Sequence, residues 1–241
     1  GKYMIGLGTA INIGLIIAGS LCGLAFGRFM KENLKQTLMM VSGIIVLLLG
    51  MSGAMQYMLV IVNGTIQMTG PMLMIISMVA GAVIGELIDL NRWITVFGDW
   101  VKAKTGNTGD PQFTHAFITA SLTFTVGAMG VLGSIQDGLT GNYQTLLLKG
   151  ILDGIIVMVM VSSMGKGALF SFIPVGITQW IITAMAHIAA PLMTPSAIDN
   201  LSYVGSILIF CVGIDLIWPG KIRIANLLPA IFVAMGLTFL L

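Results

Sequence analysis

The chain has 241 residues, of which 57% are hydrophobic and 8% are charged, and its formal net charge is +2. Its mean hydropathy is +1.01, whereas a soluble globular domain carries about 25% charged residues. This composition excludes a soluble enzyme, a nucleic-acid-binding module and a disordered chain. It predicts an all-α polytopic membrane protein in which residues 1–241 form a single transmembrane domain.

Eight apolar stretches follow one another along the chain, and each is near the length of roughly 20 residues that a helix needs to cross a bilayer. Their hydrophobicity is continuous, which favours helices over the alternating strands of a barrel. The stretches are Met4–Phe26, Thr37–Gln56, Pro71–Leu90, Phe113–Ile135, Tyr143–Met164, Ala168–Ala189, Leu201–Trp218 and Ile224–Leu241. We therefore expect about eight transmembrane helices.

The segment 91–112 differs from these stretches because it mixes aromatic and charged residues. Trp93, Phe97 and Trp100 alternate with Arg92 and Lys102 along it. Such a pattern predicts an amphipathic helix in the headgroup region of the membrane, followed by a polar linker.

The basic residues test the order of these spans, because Lys and Arg collect in cytoplasmic loops. If the eight stretches cross the membrane in turn, only Lys2 falls on one side and Lys149 lies within a span. Nine basic residues fall on the other side: Arg28, Lys31, Lys35, Arg92, Lys102, Lys104, Lys166, Lys221 and Arg223. This asymmetry places both termini outside the cytoplasm.

Two weak internal matches suggest a repeat. Ser42–Val46 is similar to Asp153–Val157, in the second and fifth spans, which are oppositely oriented. This match predicts an inverted three-span repeat with halves 4–90 and 113–189, and two further spans over 201–241. Val79–Leu90 is similar to Val204–Ile217, which would instead indicate a parallel repeat of four spans. The sequence leaves both interpretations open.

Several motifs distributed along almost the whole chain resemble one bacterial membrane family. The motifs are Gly8–Asn12, Ile84–Asp89, Val126–Met129, Leu132–Leu139, Lys149 with Leu152–Gly154, and Ile224–Ala230. They are similar to the YqgA/YdfK-like integral membrane proteins, a family of unknown function (domain of unknown function 554). The resemblance implies a multi-span fold in a bacterial inner membrane and brings no substrate. Ala128 stands where that family usually has Pro, which implies a straighter fourth span.

Lys149 and Asp153 are the strongest candidates for a functional site. They are one helical turn apart and share a face of the fifth span, where each charge costs about 2.5–3.5 kcal/mol at a helix centre. Intramembrane charges usually mark a path for ions or substrates. The alternative is a self-neutralising pair that fixes the rotation of the helix.

Four further polar residues are candidates for substrate or ion binding. Asp137 ends the fourth span and is either a carboxylate at the mouth of a cation path or part of a solvated Asp-Gly turn. Glu86 and Asp89 share a face near the end of the third span and form either a cation-attracting vestibule or an interfacial pair with Arg92. Asn12 lies inside the first span, where an amide can also bond neighbouring helices.

Small residues recur at four-residue spacing in two spans. Gly19, Gly23 and Gly27 line one side of the first span, and Gly81 and Gly85 line one side of the third. This spacing allows helices to approach closely. It predicts tight packing inside the chain or the seam of a homodimer.

The sequence lacks the motifs of nucleotide, metal and hydrolase sites, so we expect no enzymatic activity, no cofactor and no metal site. The expected partners are the lipid bilayer and a small ion or solute, with no nucleic acid. The leading hypothesis is a membrane transport protein, slightly favouring a secondary transporter over an ion channel. The alternative is a non-transporting scaffold or sensor that binds lipid or a partner protein. A transporter needs a polar, water-accessible cavity that reaches Asp153, whereas a scaffold predicts a closed pair in a dry core.

Overall fold

The computed structural model describes residues 4–240, apart from the side chain of Ala128. Lys2 and Leu241, which belong to the topology and to the last predicted span, lie outside this range. The helices and strands are α1 Leu7–Gly27, α2 Glu32–Met58, β1 Leu59–Val62, β2 Thr65–Met68, α3 Pro71–Ile88, α4 Leu90–Lys104, α5 Phe113–Thr125, α6 Ala128–Thr140, α7 Gln144–Met164, α8 Phe172–Ala184, α9 Ala186–Ala189, α10 Pro195–Ile217 and α11 Pro229–Leu237. Short 3-10 helices lie at Lys166–Ser171, Ala190–Leu192 and Ile224–Leu227.

Within residues 4–240, six helices are long and apolar enough to cross a membrane, or seven if the bent pair Phe113–Thr125 and Met129–Thr140 is one span. The protein is therefore an all-α polytopic membrane protein. The last predicted span corresponds to a shorter apolar helical stretch, Ile224–Leu237, which falls below the length of roughly 20 residues needed for a straight crossing. The count of eight spans and the type of repeat remain predictions.

The fourth predicted span is not straight. α5 and α6 are bent by 61° where they meet, although residue 128 is Ala rather than Pro. Sharp bends in helices also occur at glycines, and Gly127 lies at this break. The expectation of a straighter span was wrong because glycine weakens a helix without any help from proline.

A two-stranded antiparallel hairpin occupies the loop between α2 and α3, and the sequence analysis did not predict it. Leu59 pairs with Met68 at one end and Val62 with Thr65 at the other. Asn63 and Gly64 form the turn with φ values of 50° and 76°. Positive φ at both central residues is the geometry that Asn-Gly favours in tight hairpins.

α4 coincides with the predicted amphipathic helix, and the linker after Lys104 is non-helical as expected. Val101 of α4 packs in a buried cluster with Phe113 and Phe117 of α5, against which Phe97 also lies. Trp100 remains 54% exposed. The helix thus has one buried and one open face, and its place at the headgroups remains a prediction.

The chain divides into two compact units. The first comprises the described parts of Gly1–Ser42, Thr95–Thr125 and Met129–Pro191. In it, α1 packs along α7, and α5 packs on the 3-10 helix Lys166–Ser171. A side chain at Gly167 would collide with the backbone of Phe113, so this second contact depends on glycine.

The second unit comprises Gly43–Ile94, Val126–Ala128 and the described part of Leu192–Leu241. Here α11 packs on α3 and α10, with Val204, Ala230 and Ala234 in its core. α10 begins at Pro195, and the hydroxyl of Thr194 caps it by accepting a hydrogen bond from the Ala197 N–H at 3.2 Å. Thr at the N-cap followed by Pro at the first helical position is a strong helix start.

Candidate functional site

Lys149 and Asp153 lie in the middle of α7 and are paired with each other. The Lys149 Nζ donates directly to Asp153 Oδ2 across one helical turn. Both residues are only 6% exposed. Each charge thus neutralises the other inside an apolar span, as an isolated charge there would be costly.

Asn12 of α1 is the neighbour of this pair. Gly150 of α7 allows the approach, since a Cβ built at Gly150 would lie 3.0 Å from the Asn12 Cα. The Asn12 side chain is completely buried and lies beside the Asp153 carboxylate. The Asn12 amide N–H is engaged with that carboxylate, whereas its amide oxygen has no hydrogen-bond partner, so Asn12 brings one unused acceptor to the pair.

Gln179 of α8 completes the cluster, and sequence reasoning missed it. A Cβ built at Gly130, in the first turn of α6, would lie 3.3 Å from Lys149 Cε and 3.7 Å from Gln179 Nε2. Gln179 is 3% exposed and its Oε1 has no hydrogen-bond partner. In the sequence, Gln179 is visible only as an amide inside an otherwise apolar run. Gly130, which follows the break between α5 and α6 along the chain, therefore lies beside the buried pair.

A small cavity lies next to this cluster. Its volume is about 10 Å³, close to the least space that one water occupies. Its lining is Phe124, Thr125, Gly130, Val131, Val175, Thr178, Gln179 and Ile182, which does not include Asp153. The buried pair is closed on itself, and polar atoms without partners stand around it. We define the polar pocket as Asn12, Gly130, Lys149, Asp153 and Gln179.

Asp137 lies in the last turns of α6 and holds the start of α1. Its Oδ2 accepts a hydrogen bond from the Gly8 N–H at 3.1 Å, and the backbone of Gly6 and Thr9 also lies near the carboxyl group. The residue is fully buried, and its Oδ1 has no partner. Asp137 is therefore not part of a solvated turn but an acceptor for the free N–H groups of a helix N-terminus.

We expect Asp137→Asn to destabilise the protein by about 1 kcal/mol, because a negative charge and its hydrogen bond at a helix N-terminus are lost or weakened. The unfolding midpoint and amide exchange in the first turn of α1 measure this effect. Asp199→Asn, which changes an exposed carboxylate of α10 outside the first turn of that helix, is the matched control and should change neither. Unchanged exchange in Asp137→Asn would show that the carboxylate does not hold α1.

Glu86 and Asp89 lie in the second unit, whereas the polar pocket lies in the first. The partner of Glu86 is Arg223, whose guanidinium nitrogen is 2.5 Å from the carboxylate, so Glu86 does not pair with Arg92, the pairing that one of the two interpretations gave. Arg223 is distant in sequence, and only the packing of α3 on the segment before α11 brings it there. Asp89 ends α3 in a left-handed conformation with φ 54°.

The glycines with four-residue spacing lie against helices of the same chain. A Cβ at Gly19 or Gly23 would overlap the carbonyl oxygen of Gly154 or Met158, and one at Gly27 would lie 3.3 Å from that of Ser162. Gly81 and Gly85 lie in the same way against the backbone of Ala230 and Asn226. These faces are thus occupied by internal packing, and the homodimer remains a prediction.

The fold and the buried polar pocket define a multi-pass membrane protein, and comparison with known proteins agrees. The family model described as "Protein of unknown function (DUF554)" matches residues 7–239. The chain belongs to this family, which confirms the resemblance seen in its motifs.

Two curated relatives have almost the same length as this chain. One is the uncharacterized membrane protein YdfK of Bacillus subtilis, 27% identical over 235 residues that cover 97% of this chain and 96% of the relative. The other is the uncharacterized protein YqgA of Escherichia coli, 24% identical over 240 residues that cover 96% of each. No solved structure matches the chain.

Proposed function

We propose that the protein is a secondary transporter of a small ion or solute, with Lys149 and Asp153 on the path. The observation that carries the proposal is the combination in the polar pocket of a buried ion pair, a broken helix and unpaired polar atoms. Interrupted helices beside the binding site are a recurring feature of secondary transporters.

The energetics support a ligand in this pocket. A buried polar atom without a hydrogen bond costs about 1–3 kcal/mol, and the pocket holds two such atoms, the amide oxygens of Asn12 and Gln179. An ion or small polar solute supplies the missing partners. In this proposal the closed pair is the resting arrangement, and Asp153 exchanges Lys149 for the cargo when the pocket opens.

The same proposal includes the location of the protein, its orientation in the membrane and its partners. The basic loops face the cytoplasm of a bacterial cell, both termini lie outside it, and the protein resides in the inner membrane. Its partners are the bilayer, the cargo and a second copy of the chain. We propose no enzymatic activity. An ion channel would use the same residues. Passive, uncoupled flux would favour a channel over a secondary transporter.

A scaffold or sensor is the second candidate, and one observation favours it. Lys149 and Asp153 satisfy each other directly, and the neighbouring cavity of about 10 Å³ is too small for a passage. In that case the pair would only fix the rotation of α7, and lipid or a partner protein would be the ligand.

Variants of the two buried amides, Asn12 and Gln179, distinguish a transporter from a scaffold. We expect Gln179→Leu to be at least as stable as the wild type, because an apolar side chain replaces a buried oxygen without a partner. Asn12→Leu also removes the amide N–H beside the Asp153 carboxylate and should be less stable than Gln179→Leu. If the amides of Asn12 and Gln179 bind cargo, each variant should lower flux in proteoliposomes at least about tenfold. Flux of protons, Na⁺, K⁺ and small anions is measured with the unfolding midpoint in parallel.

The control is Asn200→Leu, since the Asn200 amide is already bonded to Thr238 Oγ1 at 2.7 Å. This variant should lose stability and keep its flux. A wild-type protein that carries none of these ions, in either direction, would contradict ion transport and favour the scaffold.

A further inference from the structure

A second polar feature of the first unit lies at the end of the helices α1 and α7, away from the polar pocket. Gly19, Gly23 and Gly27 of α1 contact Gly154, Met158 and Ser162 of α7 in turn. Because the contacts advance by four residues on both helices, the helices run parallel and end together. An open cleft with a volume of about 590 Å³ begins there. That volume is typical of small-molecule sites, which hold about 300–1,000 Å³.

The lining of this cleft carries five charged side chains. They belong to Arg28, Glu32, Lys35, Asp110 and Lys166. Three of these residues are cationic and two are carboxylates. We call this lining the basic cleft.

Two of the three cations form no ion pair with a described residue. Glu32 lies 4.0 Å from Lys35, and Asp110 Oδ1 accepts a hydrogen bond from the backbone of Gln112. Across residues 4–240, the ion pairs within 4.0 Å include neither Arg28 nor Lys166. Three cations against two carboxylates give the basic cleft a net charge of +1, and its cations outside these ion pairs are Arg28 and Lys166. The Asp110 carboxylate lies at the same cleft, with its Oδ2 3.8 Å from a Cβ built at Gly165.

The helix C-termini explain why Arg28 and Lys166 stand where they do in the sequence. Arg28 caps α1 and Lys166 follows the last turn of α7, and cations are favourable at helix C-termini. This accounts for their place in the sequence. It does not account for the open volume between them, into which a planar guanidinium and an ammonium bring hydrogen-bond donors suited to phosphate.

We propose that the basic cleft binds a phosphate-bearing anion, which is either the headgroup of an anionic phospholipid or free inorganic phosphate. Basic pockets at the ends of membrane helices are known to hold anionic headgroups. Arg28 contacts two phosphate oxygens and Lys166 supplies a point charge. This proposal does not depend on transport through the polar pocket.

Two arms of one experiment distinguish the sources. In the first, the full chain is purified from nanodiscs with equal parts phosphatidylcholine and phosphatidylglycerol, and retained lipid is counted by native mass spectrometry. In the second, the full chain in neutral detergent is titrated with inorganic phosphate by calorimetry. We expect Arg28→Gln/Lys166→Gln to lower binding by about tenfold, while Arg28→Lys/Lys166→Arg, which keeps both charges, retains it.

The matched control is Lys102→Gln/Lys104→Gln, which removes two positive charges from α4 outside the basic cleft. It should bind like the wild type in both arms. Loss in the lipid arm alone identifies a headgroup, and loss in the phosphate arm identifies a soluble anion. Absence of binding in both arms, or equal loss in the control, overturns the proposal.

Discussion

Asp153→Asn is expected to destabilise the protein by about 3–5 kcal/mol, because it leaves the Lys149 ammonium buried without its counter-ion. Both side chains are almost completely buried, so water cannot replace the lost partner. The unfolding midpoint in a mild detergent, measured by intrinsic fluorescence, reports the loss. Asp199→Asn changes an exposed carboxylate of α10 and should stay within about 0.5 kcal/mol of the wild type.

The double variant Lys149→Met/Asp153→Leu separates stability from function. Replacing a whole buried ion pair by apolar side chains of similar volume is often neutral or stabilising, so this variant should recover most of the stability. If the pair lies on the transport path, its flux in proteoliposomes should nevertheless be abolished. Flux that remains fully intact would remove Lys149 and Asp153 from the path, whatever the stability.

Gly19→Ala is expected to destabilise the packing of α1 on α7 by about 2–3 kcal/mol. The added Cβ would overlap the carbonyl oxygen of Gly154, which is backbone and cannot turn away as a flexible side chain can. The two helices must therefore separate. The unfolding midpoint and amide exchange along α7 measure this change.

Gly14→Ala is a matched control on the same helix, because a Cβ at Gly14 has nothing within 4 Å. It should leave the midpoint unchanged or raise it slightly, since Ala is the better helix former. Equal behaviour of Gly14→Ala and Gly19→Ala would show that α1 does not pack on α7 through Gly19.

The part of the polar pocket that the sequence could predict is the part that lies on one helix. Lys149 and Asp153 are one turn apart, and the geometry of an α-helix places them on one face. Gln179 is a single amide on another helix, and no local pattern relates it to Lys149. The packing of α6, α7 and α8 in the first unit brings them to Gly130.

Other differences have the same origin. Glu86 has an arginine close by in sequence, Arg92, but its partner is Arg223 because the segment before α11 packs on α3. The bend between α5 and α6 was hidden because hydropathy averages over a window and does not register a break of two residues. The hairpin after α2 was detectable in principle from Asn63-Gly64.

That the chain is a helical membrane protein follows from hydropathy, the lack of charge and helical spacing, because these are properties of consecutive residues. Which polar groups meet depends on the tertiary structure. It bent α5 against α6, placed Asn12 and Gln179 beside the buried pair, and gathered Arg28 and Lys166 at one cleft. These contacts join segments far apart in sequence, and their formation depends on which helix surfaces fit closely enough to exclude lipid.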